Sequence, residues 1–331
     1  MSIQQSAQRV ILVVGIFWSS AISQIVDPMP SPAPAEWTPL IGEYVDSEDT
    51  VMVLEENGRL LLREGGKPRL MNLDADMHFR IAGDTAVGTV RRAGHGAILG
   101  IELGDRFYGR ISAGSGAFRI DLQRPMAELQ ADAARAQPPV EAGSFRRPDL
   151  VELALLDSTI HYDIRYATTN NFMGAQFYTQ SRAFLQRPAA LALVGAHRWL
   201  RQFGYGLLIH DAYRPWYVTK MFWDATPPAQ RDFVANPTKG SKHNRGCAVD
   251  LGLYSLSSGQ EVEMPSGYDE FSSRAYADFP GGTSLQRWHR ALLRTAMERK
   301  GFRAEGVEWW HFDYRDWRQY PILNIRLEEI R

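Results

Sequence analysis

Cysteine is all but missing: Cys247 stands alone among 331 residues. That excludes an internal disulfide framework and any multi-cysteine zinc site, so a metal here has to be held by histidine and carboxylate. The chain has no basic block and a formal charge of -1, which argues against nucleic acid as a partner. A glycine-rich phosphate loop and a regular βαβ repeat are also lacking, so strands and helices that interleave later in the chain point to an α+β arrangement. The apolar run from Val10 to Ile22 is short for a transmembrane helix. It follows Arg9 and ends among small residues at Ser19-Ser20-Ala21 and Ala21-Ile22-Ser23. These features predict a cleaved export signal over residues 1–23, no stable membrane span after cleavage, and a periplasmic or other extracytoplasmic location, with an uncleaved single anchor as the alternative. No cysteine follows the run, so a lipid anchor is not expected.

What is present suffices for one or two ordinary globular cores, with 44% hydrophobic and 23% charged residues. Pro28-Met-Pro-Ser-Pro-Ala-Pro-Ala35 marks a linker over 24–36, extended because proline fixes its own φ. Short alternating runs then follow: Val51–Leu54, Leu60–Leu62, His78–Ile81, Ala86–Val90, Ala97–Ile101, Phe107–Tyr108 and Phe118–Leu122. Between them stand Asn57-Gly58, Gly65-Gly66, Gly83-Asp84 and Gly104-Asp105, all turn signals. A small antiparallel β domain of six to eight strands is expected over 37–124. It holds no cluster of ligand residues, and His78 and His95 read as ordinary surface or turn histidines. Met126–Ala136 is rich in helix formers and is broken by Gln137-Pro-Pro-Val, giving a helix and linker over 125–148. Residues 149–331 alternate: a helix opened by Arg187-Pro188 and ended at Gly204, strands at 205–210, 248–254 and 307–314, and an amphipathic helix from Ser284 to Lys300 capped by Thr283 or Ser284. The expected fold is α+β, with a mixed or antiparallel C-terminal sheet and flanking helices holding a metal site, preceded by the small all-β domain.

Two fragments carry the chemistry. Ser241-Lys-His-Asn-Arg-Gly-Cys-Ala-Val-Asp250 supplies His243 and Asp250, and Glu308-Trp-Trp-His311 supplies Glu308 and His311. Two imidazoles, a ligating carboxylate and a spare carboxylate are what a catalytic zinc needs: three ligands, an open fourth position and a nearby base. On a strand, Ala248, Asp250 and Gly252 share a face, so an acidic side chain looks out over small residues. An Asp250 paired with an arginine on an exposed strand face is the simpler alternative. Cys247 has the other parity and reads as a small buried residue. Gly246 suits a tight turn between His243 and the strand. Glu308 and His311 are three apart, so they converge only if the strand ends or bulges between them. Trp309 and Trp310 are expected in the core and the pocket wall.

The pattern Ser-x-His-x-x-Gly-x-Ala-x-Asp followed by Glu-x-Trp-His resembles the zinc D-alanyl-D-alanine dipeptidases of the vancomycin-resistance type and their D,D-peptidase relatives. The resemblance spans about Leu153 to Tyr320. It includes Tyr166-Ala-Thr-Thr-Asn-Asn-Phe-Met-Gly174, Arg187-Pro-Ala-Ala, Asp211-Ala-Tyr-Arg-Pro215 and Met264-Pro-Ser-Gly-Tyr-Asp269. It implies one Zn2+ held by His243, Asp250 and His311, with Glu308 as general base and acid and Arg214 stabilising the transition state. Asp269 would bind the amino end of a small dipeptide and Ser241 would line the pocket. Tyr276 departs from the pattern, standing where many relatives have histidine, and the β domain lies outside the resemblance. For Arg214 a purely structural ion pair with Asp211 stays open. Two other functions also stay open: a D,D-carboxypeptidase or endopeptidase acting on peptidoglycan peptides, and a non-catalytic cell-wall binding protein.

Overall fold

The computed structural model describes residues 27–111 and 119–331; the expected export signal lies outside the described residues. Eight strands come first: β1 (Gly42–Val45), β2 (Thr50–Glu56), β3 (Arg59–Glu64), β4 (Arg69–Leu73), β5 (His78–Ile81), β6 (Val87–Arg92), β7 (Ile98–Leu103) and β8 (Arg106–Arg110). Each pairs antiparallel with the next, and β1 pairs with β8 to close a barrel without free edges. Val51 and Val53, Leu60 and Leu62, and Phe79 and Ile81 fill its interior two residues apart along each strand. The Asn57-Gly58 signal becomes a hairpin turn with both residues at positive φ, 51° and 74°, the geometry that matches strand twist. β1 and β4 escape a reading of alternation because each buries a single residue, Tyr44 and Met71. The strand expected at Phe118–Leu122 does not form over 119–122, and Phe118 lies outside the described residues. Instead the Ile120 amide donates to the Phe172 carbonyl at 2.7 Å and Ile120 is buried in the C-terminal core.

The chain continues with α1 (Met126–Arg135), β9 (Leu150–Glu152), α2 (Leu153–Leu156), β10 (His161–Tyr162), β11 (Phe184–Gln186), α3 (Arg187–Leu200) and β12 (Tyr205–Asp211). Then come α4 (Trp216–Ala225), β13 (Ala248–Ser255), α5 (Ser284–Glu298), β14 (Phe302–Ala304) and β15 (His311–Tyr314). The main sheet has the order β10-β12-β13-β15-β14, with β10 parallel to β12 and the other pairs antiparallel. β9 and β11 form a separate pair. The fold is therefore mixed helix and sheet, with an eight-stranded barrel ahead of a C-terminal mixed sheet. The helix read over 126–136 packs against α4, burying Leu129 and Ala133 one turn apart. α3 and α5 pack on each other and on the sheet. α3 starts with proline in its first turn and stops where Gly204 takes φ 84° after a short 3₁₀ turn. Its Leu193 and Leu200, like Leu292 and Leu293 of α5, are fully buried, each adding about 1.5–3 kcal/mol by the usual side-chain burial scale.

The barrel is tied to the start of α5. Thr283 and Gln286 make a capping box there, and the β2–β3 hairpin adds to it. Glu55, 1% exposed, accepts the Ser284 amide at 2.7 Å and the Gly58 amide at 2.7 Å. The Asn57 amide donates to Ser284 Oγ at 2.9 Å, and Arg287 Nη2 to the Glu55 carbonyl at 2.8 Å. A carboxylate at the positive end of a helix dipole is favourably placed. Replacing Glu55 by alanine strands two amide donors, so Glu55→Ala should lower the stability of the full chain by about 1–3 kcal/mol. A denaturation midpoint equal to that of the parent would show that the hairpin does not hold α5.

Candidate active site

Strand register does most of the assembly. β12 and β13 pair so that Asp211 faces Asp250, after a shift between Ile209 and Asp211. β13 and β15 pair so that Asp250 faces His311. Three chemically active side chains thus stand in one row across neighbouring strands, where directly opposed residues are in reach of each other. The irregularity beside Asp211 is the kind of bulge that re-aims a side chain near a site. His243 arrives from outside the sheet, in a single 3₁₀ turn over His243–Arg245. Gly246 ends that turn at φ 67°, a left-handed conformation that favours glycine, and a Cβ there would also push Leu150 Cδ2 aside from 2.5 Å.

The last strand is shorter than the expected 307–314. It begins at His311 because the Trp309 amide donates to the Ala275 carbonyl at 2.8 Å, drawing Val307–Trp309 away from the sheet, while the Trp310 carbonyl already accepts the Leu251 amide of β13 at 3.1 Å. The His311 amide closes that turn on the Glu308 carbonyl at 3.3 Å. This break lets Glu308 and His311 face one space although they are three residues apart.

The ligand-type atoms of His243, Asp250 and His311 lie within 4.8 Å of one another. His243 Nε2 is 3.2 Å from His311 Nδ1 and 3.4 Å from Asp250 Oδ2, and His311 Nδ1 is 2.9 Å from Asp250 Oδ1. Each ring's other nitrogen is already committed. His243 Nδ1 lies 2.7 Å from the Ala212 carbonyl and His311 Nε2 lies 3.0 Å from Asp313 Oδ1. Both acceptors take a proton, so a neutral imidazole at either position turns a lone pair inward. Two inward lone pairs and a carboxylate, each braced from behind, fit a divalent cation. With no cation in place, burial acts to raise the Asp250 carboxyl pKa, but positive charge on and hydrogen bonds from the His243 and His311 rings outweigh it and hold it well below the ordinary range.

The remaining expected residues meet in the same place. Arg214, Ser241, His243, Asp250, Asp269, Glu308 and His311 all line one cavity of about 150 Å³. Glu308 Oε2 is 3.9 Å from His311 Nδ1, and its side chain keeps 30% exposure. Its carboxyl pKa is raised, first by burial and then by Asp250. Asp269 is buried in a left-handed conformation, φ 56°, uncommon for a residue with a side chain. Burial, then Asp250 and Glu308, push its pKa well above the usual range, while Tyr166 donates to its Oδ2 at 3.0 Å. Arg214 does pair with Asp211, Nε and Nη2 reaching Oδ2 at 2.9 and 2.7 Å, yet it also lines the cavity with Nη2 3.9 Å from Asp250 Oδ2. The rings of Tyr166 and Phe222 flank its guanidinium. Ser241 Oγ accepts the His243 amide at 3.2 Å, so it also shapes the turn that delivers His243. Cys247 is fully buried, its thiol pushed up to about 12 by burial.

Sequence reasoning missed Asp313, Tyr166 and Tyr268. Asp313 had a signal, since it shares a strand face with His311 at i+2. It is in turn held by an ion pair from Lys242. The two phenols stand in segments that the family resemblance covers, 166–174 and 264–269, but a tyrosine in a mixed segment reads as core.

With this geometry in hand, the comparisons with known proteins become specific. The family model described as D-Ala-D-Ala dipeptidase, a peptidase family, matches residues 146–323. The chain belongs to that family of peptidases. A D-alanyl-D-alanine dipeptidase of Escherichia coli is 35% identical over 175 residues, covering 53% of this chain and 89% of its own. Those of Enterococcus faecalis and Enterococcus faecium are 34% and 33% identical, covering 50% and 52% of this chain and 92% and 95% of their own. Among solved structures, a vancomycin-resistance D,D-pentapeptidase in complex with Zn(II) matches at 16% identity over 42% of this chain and 77% of its own. Its TM-score is 0.28, too slight a likeness to bear on fold or site.

Removing the brace behind His311 should loosen the cation site. Asp313→Ala is expected to weaken divalent metal binding about 10- to 100-fold, read by competition with a coloured chelator. Parent-like affinity would mean that Asp313 does not orient the imidazole.

Proposed function

We propose that this chain is a zinc dipeptidase that hydrolyses D-alanyl-D-alanine, exported to an extracytoplasmic space. The observation that carries the reading is the convergence of three braced donors, a carboxylate and an arginine on one small cavity. His243, Asp250 and His311 would hold the ion. Zinc, when bound there, acidifies a water to a pKa of about 7 and polarises the scissile carbonyl. Glu308 takes a proton from the attacking water and passes it to the leaving amine, a role that a burial-raised carboxyl suits. Arg214, locked by Asp211 and stacked between rings, presents a fixed cation to the developing oxyanion and needs no rearrangement to do so. Ser241 shapes the wall next to His243.

Substrate choice follows from the cavity's size and from Asp269. About 150 Å³ leaves room for a short substrate with small side chains. Asp269 is buried beside Asp250 and Glu308, which disfavours its charged form, and an ammonium group is the counterpart that would offset this. A free amino end is what separates a dipeptidase from a carboxypeptidase acting on a longer peptide stem.

The deciding experiment compares D-Ala-D-Ala with its N-acetyl form on the zinc-loaded protein. Hydrolysis of the free dipeptide with little action on the acylated one is expected; equal rates on both would reject the dipeptidase reading. Glu308→Ala should lower kcat/KM by about a thousandfold or more and keep its zinc, as metal analysis would show. Hydrolysis at the parent's rate would remove Glu308 from the chemistry.

A further inference from the structure

Asp250 and Asp269, given above to the metal and to the substrate's amino end, are joined by two buried phenols. The Tyr268 hydroxyl lies 3.1 Å from Asp250 Oδ2 and 3.3 Å from the Tyr166 hydroxyl. Tyr166 in turn donates to Asp269 Oδ2 at 3.0 Å. Both rings are held firmly. Tyr166 sits against Phe222 and under the Arg214 guanidinium, and Tyr268 packs on His210 and Trp310 with centroids 4.7 and 5.4 Å away. The hydroxyls therefore have little freedom except to rotate their protons.

A phenol has one proton to donate. Tyr268 consequently serves either Asp250 or Tyr166, never both in full. Once Asp250 commits its lone pairs to a cation, Tyr166 becomes the better acceptor for that proton. A hydroxyl that accepts a hydrogen bond is polarised to donate a stronger one, and the acceptor at the end of this chain is Asp269. Hydrolysis as described has no use for Tyr268, and a phenylalanine would fill its place apart from the hydroxyl.

We propose that Tyr268 is a positioning residue that, through Tyr166, couples metal binding at Asp250 to recognition of the substrate's ammonium group by Asp269. This rests on the dipeptidase reading. The full-length chain is compared with Tyr268→Phe and Tyr166→Phe. Two readouts are taken on each: the zinc dissociation constant from chelator competition, and the ratio of kcat/KM for D-Ala-D-Ala to that for N-acetyl-D-Ala-D-Ala.

Tyr268→Phe is expected to tighten zinc several-fold, because it removes the hydrogen bond that competes with the cation for Asp250. It should also reduce the preference for the free dipeptide several-fold, through KM more than kcat, although Tyr268 makes no hydrogen bond to Asp269. Tyr166→Phe should reduce that preference further and weaken zinc several-fold, because Tyr268 is then left with Asp250 as its acceptor. A Tyr268→Phe protein that shifts one readout alone, or neither, overturns the coupling. If Tyr268→Phe melts far below the parent, Tyr166→Phe decides by the same rule: both readouts must move. Failure of the dipeptidase reading looks different, since the parent itself would then not hydrolyse D-Ala-D-Ala selectively.

Discussion

Register between β12, β13 and β15 is the constraint on which the site depends, because it sets Asp211, Asp250 and His311 side by side in the interior. Two carboxylates facing each other across a strand pair would be costly without compensation. Each is compensated, in part by shared groups: Arg214 and His243 lie within 3.9 Å of both. Arg214 and Tyr178 satisfy Asp211, at 2.7 and 2.8 Å. Asp250 is met by the imidazoles of His243 and His311 and by the Tyr268 hydroxyl at 3.1 Å. A slip of one residue in either pairing would send these side chains to the opposite face and undo the charge balance together with the chemistry.

Around that row the structure stacks braces. Ala212 and Asp313 each occupy the far nitrogen of one of the two site histidines, and Lys242 in turn holds Asp313. Arg214 is fixed by its ion pair and by two flanking rings. An ion pair that looks purely structural thus also aims a cation into the cavity. Structural and functional readings of Arg214 are compatible, since a guanidinium presents several donors and Asp211 uses only two of its nitrogens.

The barrel stands outside the matched family region, yet it is not loosely attached. Its β2–β3 hairpin supplies the carboxylate and amide that complete the start of α5, and α5 packs on β13 and β14. The segment carrying Asp269 runs between β13 and α5 in the chain, so the hairpin helps fix one end of it.

Much of this was legible in advance. Asn57-Gly58 announced its hairpin, Pro188 and Gly204 bracketed α3, and Thr283 announced the start of α5, each through local backbone preferences that need no distant partner. The donor set around His243, Asp250 and His311 was legible too, from residue types and spacing together with resemblance to a family. Strands β1 and β4 were not, because a strand with one inward side chain leaves no alternation to detect. Nor was the fate of 119–122, where a β-like run was captured by Phe172 in the other core.

Sequence by itself thus settled which side chains are available and where turns and helix ends fall, and it singled out His243, Asp250, Glu308 and His311 as a candidate set. Tertiary structure decided what local preference cannot reach. It broke the last strand between Glu308 and His311 by bonding Trp309 to Ala275, chose which nitrogen of each histidine faces inward, and strung Tyr268 and Tyr166 between two carboxylates. Each of those outcomes depends on a hydrogen-bond partner brought in from elsewhere in the chain or across a strand pair, and only packing determines which partner arrives.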